Sequence, residues 1–239
     1  MYAIETKNLT KKYKDIIAVD NLNLQVKEGE LISLLGMNGA GKTTTIKMLC
    51  CLTRSTSGDA FLNGISVSNN ADEVKSLIAV SPQETAIAAG LSAKENLQLI
   101  CGVHSFKKNK TKEKINELTK LLSLETKINK KAGKLSGGWQ RRLSIAMALI
   151  SEPKILFLDE PTLGLDVVAR SELWELISSL KGKVTIVLTT HYMEEAEALS
   201  DRVAIMNDGK LLVCNTADEI KKSAETNNFE KAFIKYVKG

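Results

Sequence analysis

Glu30 to Thr45 reads ELISLLGMNGAGKTTT. A short apolar run meets a glycine-rich loop, and Lys42 and Thr43 then open a run free of helix breakers, which predicts strand, loop and helix in that order. Within it Gly36 to Thr43 fits G-x-x-x-x-G-K-[ST], the phosphate-binding P-loop pattern. Its glycines let backbone N–H groups close around phosphate oxygens, and the following helix aims its partial positive charge at them. The expected contacts are Gly36, Asn38, Gly39, Ala40, Gly41, Lys42, Thr43 and Thr44. Lys42 would reach the outer phosphates and the Thr43 hydroxyl would serve Mg²⁺.

Two further apolar runs end in residues able to do chemistry: ILFLDE (Ile155 to Glu160) and VTIVLTTH (Val184 to His191). Near-continuous apolar strands imply burial on both faces, hence a parallel sheet, with the ligand in the crevice beyond the carboxyl ends. Asp159 and Glu160 are successive, so alternation along a strand predicts carboxylates on opposite faces. Asp159 is then placed for the Mg²⁺ shell, and Glu160 for polarising a water that attacks a terminal phosphate.

Outward from these runs, YAIETKNLTKKY (Tyr2 to Tyr13) and AVDNLNLQVKEGE (Ala18 to Glu30) alternate in places and read as antiparallel strands at one edge. DRVAIMNDGKLLV is a hairpin turning at Asp208-Gly209. Between Pro82 and Pro153 strand signals stop and helical spacing takes over. The expected fold is therefore α/β: a P-loop NTPase core with a parallel sheet (1–84 and 153–218), an antiparallel edge subdomain, an inserted helical subdomain (85–152) and a C-terminal helical tail (219–239).

The 33 basic residues exceed the 28 acidic ones by only five, too few to point to nucleic acid. Lysines gather at KKNKTKEK (Lys107 to Lys114) and KINKKAGK (Lys127 to Lys134), which read as solvated faces. The four cysteines lack metal or redox spacing, which fits a reduced cytosolic compartment. MYAIETKNLT has no basic and apolar leader, and no run approaches the roughly 18 residues of a membrane span, so any membrane crossing falls to another chain.

LSGGWQRRL (Leu135 to Leu143) looks like a second phosphate-binding helix start, which one nucleotide on one P-loop leaves without a ligand. Here the chain shows a resemblance. GMNGAGKTT, SPQE, LSGGWQRR, ILFLDEPTLGLD and TTH stand in the order and spacing of the ATP-binding subunits of ABC transporters, most like the stand-alone ABC-2 branch. The resemblance implies that Ser136, Gly137 and Gly138 face the γ-phosphate held by an opposing subunit. It implies that Gln83 approaches Mg²⁺ and the attacking water, that His191 contacts the γ-phosphate, that Tyr13 stacks on adenine and that Asp166 touches the facing subunit. Asp166 also reads as a helix N-cap. Trp139 departs from the family's glutamine, with Gln140 one place later.

The resemblance thus implies an ATPase using ATP and Mg²⁺, paired as a homodimer or with a related ATPase subunit. It would drive a separate transmembrane permease, for export, from the inner face of the membrane. Two other readings compete. A soluble ABC-type ATPase acting on DNA or ribosomes usually carries coiled-coil insertions or two halves in one chain, and neither is present. A non-hydrolysing ATP-gated module would lack Glu160.

Overall fold

In the computed structural model, which describes residues 1–239, the chain opens with β1 (Tyr2–Tyr13), β2 (Ile16–Leu22) and β3 (Gln25–Lys27). It then crosses to β4 (Leu31–Leu35), the P-loop and α1 (Lys42–Leu49), and returns through β5 (Ser57–Leu62) and β6 (Ile65–Ser66). After α2 (Ala71–Leu77) and β7 (Ile78–Ser81) come α3 (Ala93–Val103), α4 (Lys108–Leu121), a single 3₁₀ turn at Ala132–Lys134, and α5 (Gly137–Leu149). Next come β8 (Ile155–Asp159), α6 (Val167–Ser179), β9 (Thr185–Thr190) and α7 (Met193–Leu199). The chain finishes with β10 (Arg202–Asn207), β11 (Lys210–Asn215), α8 (Ala217–Ser223) and α9 (Phe229–Lys238).

Six strands form one sheet in the order β11-β10-β4-β9-β8-β7, parallel except for β11. The three apolar runs lie at its centre as β4, β8 and β9. Their inner residues split by parity: Leu156 and Leu158 join the core beneath the helices, whereas Ile155 and Phe157 join the core beneath the antiparallel sheet. Burial on both faces is why these strands show no alternation in sequence. The antiparallel strands form a sheet of their own, β2-β1-β5-β6 with β3 also on β1, packed over one face of the parallel sheet rather than extending its edge. Asp208 and Gly209 both have positive φ, as a two-residue hairpin turn requires.

The helices between Pro82 and Pro153 share one continuous core with the other face of the sheet, through Leu97, Leu118, Leu143 and Ile145 against Leu156, Leu158 and Leu188. α5 lies against β7, where Ser81 and Ser144 hydroxyls meet at 2.9 Å. Lys107, Lys108, Lys110 and Lys112 are exposed as expected, but Lys114 is buried. Its ammonium sits 3.1 Å from both Glu117 and Glu152, tying α4 to the residues before β8. At the other end of the sheet Phe229, Ala232 and Phe233 of α9 pack on Leu35, Val203 and Ile205. No helix is long and apolar enough to cross a membrane.

One carboxyl group is sealed inside. Glu195 of α7 is 0% exposed, and its only close hydrogen bond comes from the Trp174 indole of α6, Nε1 to Oε1 at 3.1 Å. Its Oε2, like the nearby Thr162 hydroxyl, has no hydrogen-bond partner. Burial pushes the Glu195 carboxyl above its usual range, hydrogen bonding pulls it partly back, and the neighbouring Glu160 carboxylate adds to the rise, with Arg141 the nearby cation. Folding therefore favours the protonated acid, so this contribution is complete below the ordinary carboxylate pKa and is lost as pH climbs through the raised value. Glu195→Gln mimics the neutral acid and cannot ionise. Its melting temperature should match the parent near pH 4 and exceed it at pH 8; a pH-independent difference would contradict this account.

Candidate functional site

The P-loop leaves β4 at Gly36 and folds tightly. Gly41 holds φ +99°, and a Cβ there would lie 2.5 Å from the Ala18 carbonyl oxygen, so only glycine fits. Gly39 also needs positive φ, at +88°. The N–H groups of Lys42, Thr43 and Thr44 open the first turn of α1 without partners in the protein, and no acidic residue occupies that turn. This is the geometry of an anion site at a helix start.

A cleft of about 420 Å³ opens over this turn. Its walls include Tyr13, Asn38, Gly39, Ala40, Gly41, Lys42, Thr43 and Thr44, joined by Gln83, Glu160 and His191 and, beyond those expected, Ala18 and Leu163. Gly36 is buried at the base of the loop. Tyr13 is half exposed at the end of β1, with Lys11 Nζ 4.8 Å from its ring centroid. Residues at or just beyond the ends of β1, β7, β8 and β9 thus meet at the loop that follows β4.

Lys42 is almost wholly buried. Its ammonium donates to the carbonyls of Gly36 (2.7 Å) and Met37 (3.1 Å) and lies 3.7 Å from Glu160 Oε1. Burial lowers its pKa, and the Glu160 and Asp159 carboxylates pull it back up. Glu160 in turn is shared: its Oε2 is 2.7 Å from His191 Nδ1. A carboxylate can only accept, so Nδ1 must carry the proton in this contact.

The alternation argument for the two carboxylates fails. β8 ends at Asp159, and Glu160 leaves the strand in the left-handed region at φ +48°. Both carboxylates consequently border the P-loop: Glu160 beside Lys42, and Asp159 Oδ1 3.5 Å from the Thr43 hydroxyl. A left-handed non-glycine residue costs of the order of 1 kcal/mol and is held by its surroundings. Here the Glu160 N–H is shared between the carbonyl (3.1 Å) and hydroxyl (3.0 Å) oxygens of Thr189.

The oxygen pair fits Mg²⁺. Thr43 and Asp159 are hard ligands, and nowhere do three His, Cys, Asp or Glu side chains gather into a full protein cage. Mg²⁺ keeps waters and takes phosphate oxygens for its other positions, so a sparse protein set beside a phosphate cradle suits it. Gln83 lines the same cleft from an exposed loop after β7. Its backbone carbonyl, and that of Pro82, accept from the two terminal nitrogens of Arg141 at 2.7 and 2.6 Å. Arg141 belongs to α5, so the Gln83 loop is tied to the helix that begins at Ser136–Gly138.

That helix start stands outside the cleft. Ser136 is the N-cap of α5 and is exposed, yet its side chain makes no capping bond and no acidic residue follows in the first turn. By contrast Ser92, Asp166, Thr216 and Asn228 each cap their helices with a side-chain oxygen. The N–H groups of Gly137 and Gly138 have no partner in the chain. Trp139 turns to its own subunit, between Arg142 (4.9 Å) and Lys127 (5.5 Å), and Gln140 donates to the carbonyls of Ala132 and Leu135.

Ala18, Arg141, Leu163 and Thr189 are the residues that sequence reading did not place at the site. Arg141, Leu163 and Thr189 lie inside the LSGGWQRR, ILFLDEPTLGLD and TTH runs, but which of them face the site is set by strand pairing and turns, and Ala18 carries no local signal.

A phosphate cradle, two carboxylates and a histidine at the carboxyl ends of a buried parallel sheet define a P-loop nucleotide-binding domain. Residues 19–163, more than half of the chain, match the family model described as ABC transporter, and the chain belongs to that family. Among its relatives, the human phospholipid-transporting ATPase ABCA3 is 40% identical across 92% of this chain, and the daunorubicin/doxorubicin resistance ATP-binding protein DrrA of Streptomyces peucetius 38% across 94%. The chain spans 13% of the length of the first and 68% of the second. The solved structure of the ATP-binding cassette MJ0796, a post-hydrolysis dimer bound to ADP and Pi, superposes with a TM-score of 0.78 at 30% identity, covering 89% of this chain and 98% of its own.

Lys42→Ala removes the one ammonium at the cradle and two donors that hold the loop carbonyls. ATP affinity measured by calorimetry should fall by roughly tenfold or more, the scale of a lost charged hydrogen bond. Near-parental binding would show that Lys42 does not reach the phosphates.

Proposed function

We propose that the chain hydrolyses Mg-ATP and thereby powers a separate membrane-spanning permease, working as an exporter subunit. The observation that carries the hydrolytic part is Glu160, an ionisable carboxylate held between Lys42 and His191 at the mouth of the phosphate loop. With ATP in the cleft, Tyr13 offers a flat face to adenine, and the N–H groups of the loop with Lys42 hold the phosphates. Thr43, Asp159 and Gln83 would hold Mg²⁺, which neutralises charge on the phosphates when bound. Glu160 accepts hydrogen bonding from a water in line with the γ-phosphorus. As the water oxygen bonds to phosphorus and gives up a proton towards the Glu160 carboxylate, the bond to the bridging β–γ oxygen breaks with its electron pair leaving on ADP, giving ADP and inorganic phosphate. His191, fixed by Glu160, meets the γ-phosphate from the side. Positioning and electrostatics supply most of the acceleration.

The uncapped start of α5 at Ser136, Gly137 and Gly138 supports pairing with a second ATPase subunit, identical or related, whose γ-phosphate it would receive. A symmetric pair uses the same contact twice, with Asp166 at the N-terminus of α6 close to the facing subunit. MJ0796, of similar fold, is dimeric in its ADP and Pi complex. Segment 85–152 would meet the permease and hold the chain at the inner face of the membrane. Likeness to a drug-resistance ATP-binding protein and to a phospholipid-transporting ATPase supports export.

Glu160→Gln keeps shape and removes charge. It should retain ATP binding, lose turnover by about two orders of magnitude or more, and accumulate as an ATP-bound dimer in sizing experiments; normal turnover would remove Glu160 from the chemistry. Ser136→Arg should bind ATP yet neither dimerise nor hydrolyse. Mixed with Lys42→Ala it should regain hydrolysis, because each mixed dimer holds one intact composite site. Proven mixed dimers without any activity would refute borrowed sites.

A further inference from the structure

We propose that Thr189 is a positioning residue that sets both carboxylates of the site through a single hydroxyl. The inference rests on the roles given above to Asp159 and Glu160. Thr189 lies on β9 directly opposite Asp159 of β8 and is 0% exposed. Its hydroxyl donates to Asp159 Oδ1 at 2.5 Å and accepts from the Glu160 N–H at 3.0 Å. A hydroxyl has one proton to give, so donation to Asp159 leaves its lone pairs to Glu160. Asp159 Oδ1 also accepts from the Thr43 hydroxyl, at 3.5 Å. The chain Thr43, Asp159, Thr189, Glu160 thus joins the metal-facing side to the water-facing side.

Each half of this contact does separate work. On Asp159, a buried carboxylate, the donor fixes the rotation of the group and so presents its oxygens beside Thr43 in one orientation. On Glu160 it supplies one of two acceptors that hold the peptide at φ +48°, the conformation that turns the carboxylate towards Lys42 and His191. Valine offers the same branched shape without the oxygen. Asp159 would then lose its closest donor and Glu160 one of its acceptors, while the P-loop that binds nucleotide would be untouched.

The experiment compares parent, Thr189→Val, Thr189→Ser and Thr189→Ala by steady-state ATP hydrolysis, by Mn²⁺ binding to the ADP-loaded protein followed by electron paramagnetic resonance, and by thermal melting. Thr189→Val should lose about tenfold in kcat, the scale of one charge-assisted hydrogen bond. Its KM for ATP should stay within about twofold, and Mn²⁺ affinity should fall roughly tenfold. Thr189→Ser keeps the hydroxyl and loses a buried methyl, so it should melt lower yet stay within about twofold of the parent in kcat and Mn²⁺ affinity. Thr189→Ala provides a second variant without the hydroxyl and should follow valine in both readouts. Metal affinity that tracks melting temperature across the series, or valine and alanine variants that keep parental kcat and Mn²⁺ affinity, would overturn the inference while leaving the hydrolytic reading intact. A parent protein that hydrolyses ATP without any divalent cation would overturn both.

Discussion

A parallel sheet buried on both faces has room for polar chemistry only where its strands end. β4, β8 and β9 are buried along their whole length, and at their carboxyl ends the chain delivers Gly36, Asp159 with Glu160, and His191 to one place. Everything at the site depends on that delivery. The glycine conformations shape the cradle, but the carboxylates reach it because the register of β8 against β9 puts Asp159 opposite Thr189. The same constraint explains the burial of Lys42: its ammonium donates to the Gly36 and Met37 carbonyls and faces the Glu160 carboxylate, so the protein itself compensates the charge.

α5 carries a second kind of dependence. One side of it is sealed into the core beneath the sheet, and Arg141 binds the carbonyls of Pro82 and Gln83. Movement of the Gln83 loop and of the Ser136 helix start are therefore not independent. A guanidinium buried this way is costly to strand, because its donors would be left without acceptors, so the two segments are expected to shift as one body. The inserted helices are in this sense continuous with the nucleotide-binding core and share its packing.

Much of this is legible in the amino-acid sequence itself. The P-loop could be read because its chemistry depends on local conformation over eight contiguous residues, and the hairpin at Asp208-Gly209 for the same reason. The central strands were legible from apolar runs alone. The direction of Glu160 was not, since alternation assumes a strand that continues, and the left-handed turn at this residue ends it. Nor could Thr189, Ala18 or the buried Glu195 be placed, because each owes its surroundings to a partner distant in sequence. The antiparallel strands were recognised, but whether they extend a sheet or cover one is decided by which face their apolar residues find.

The sheet order has a consequence for how the molecule comes into being. β4, among the earliest strands in the chain, has β9 and β10 as its only sheet neighbours. Its final residue, Leu35, is covered by residues of β10 and α9. During ribosomal synthesis the strand that supports the phosphate loop therefore emerges long before anything exists to pair with it. Such non-local pairing is slow, and an apolar segment left waiting is open to association with other nascent chains. The order of the strands thus makes the second half of the polypeptide a template on which the first half completes itself, and a translational pause before β9 would prolong the vulnerable interval.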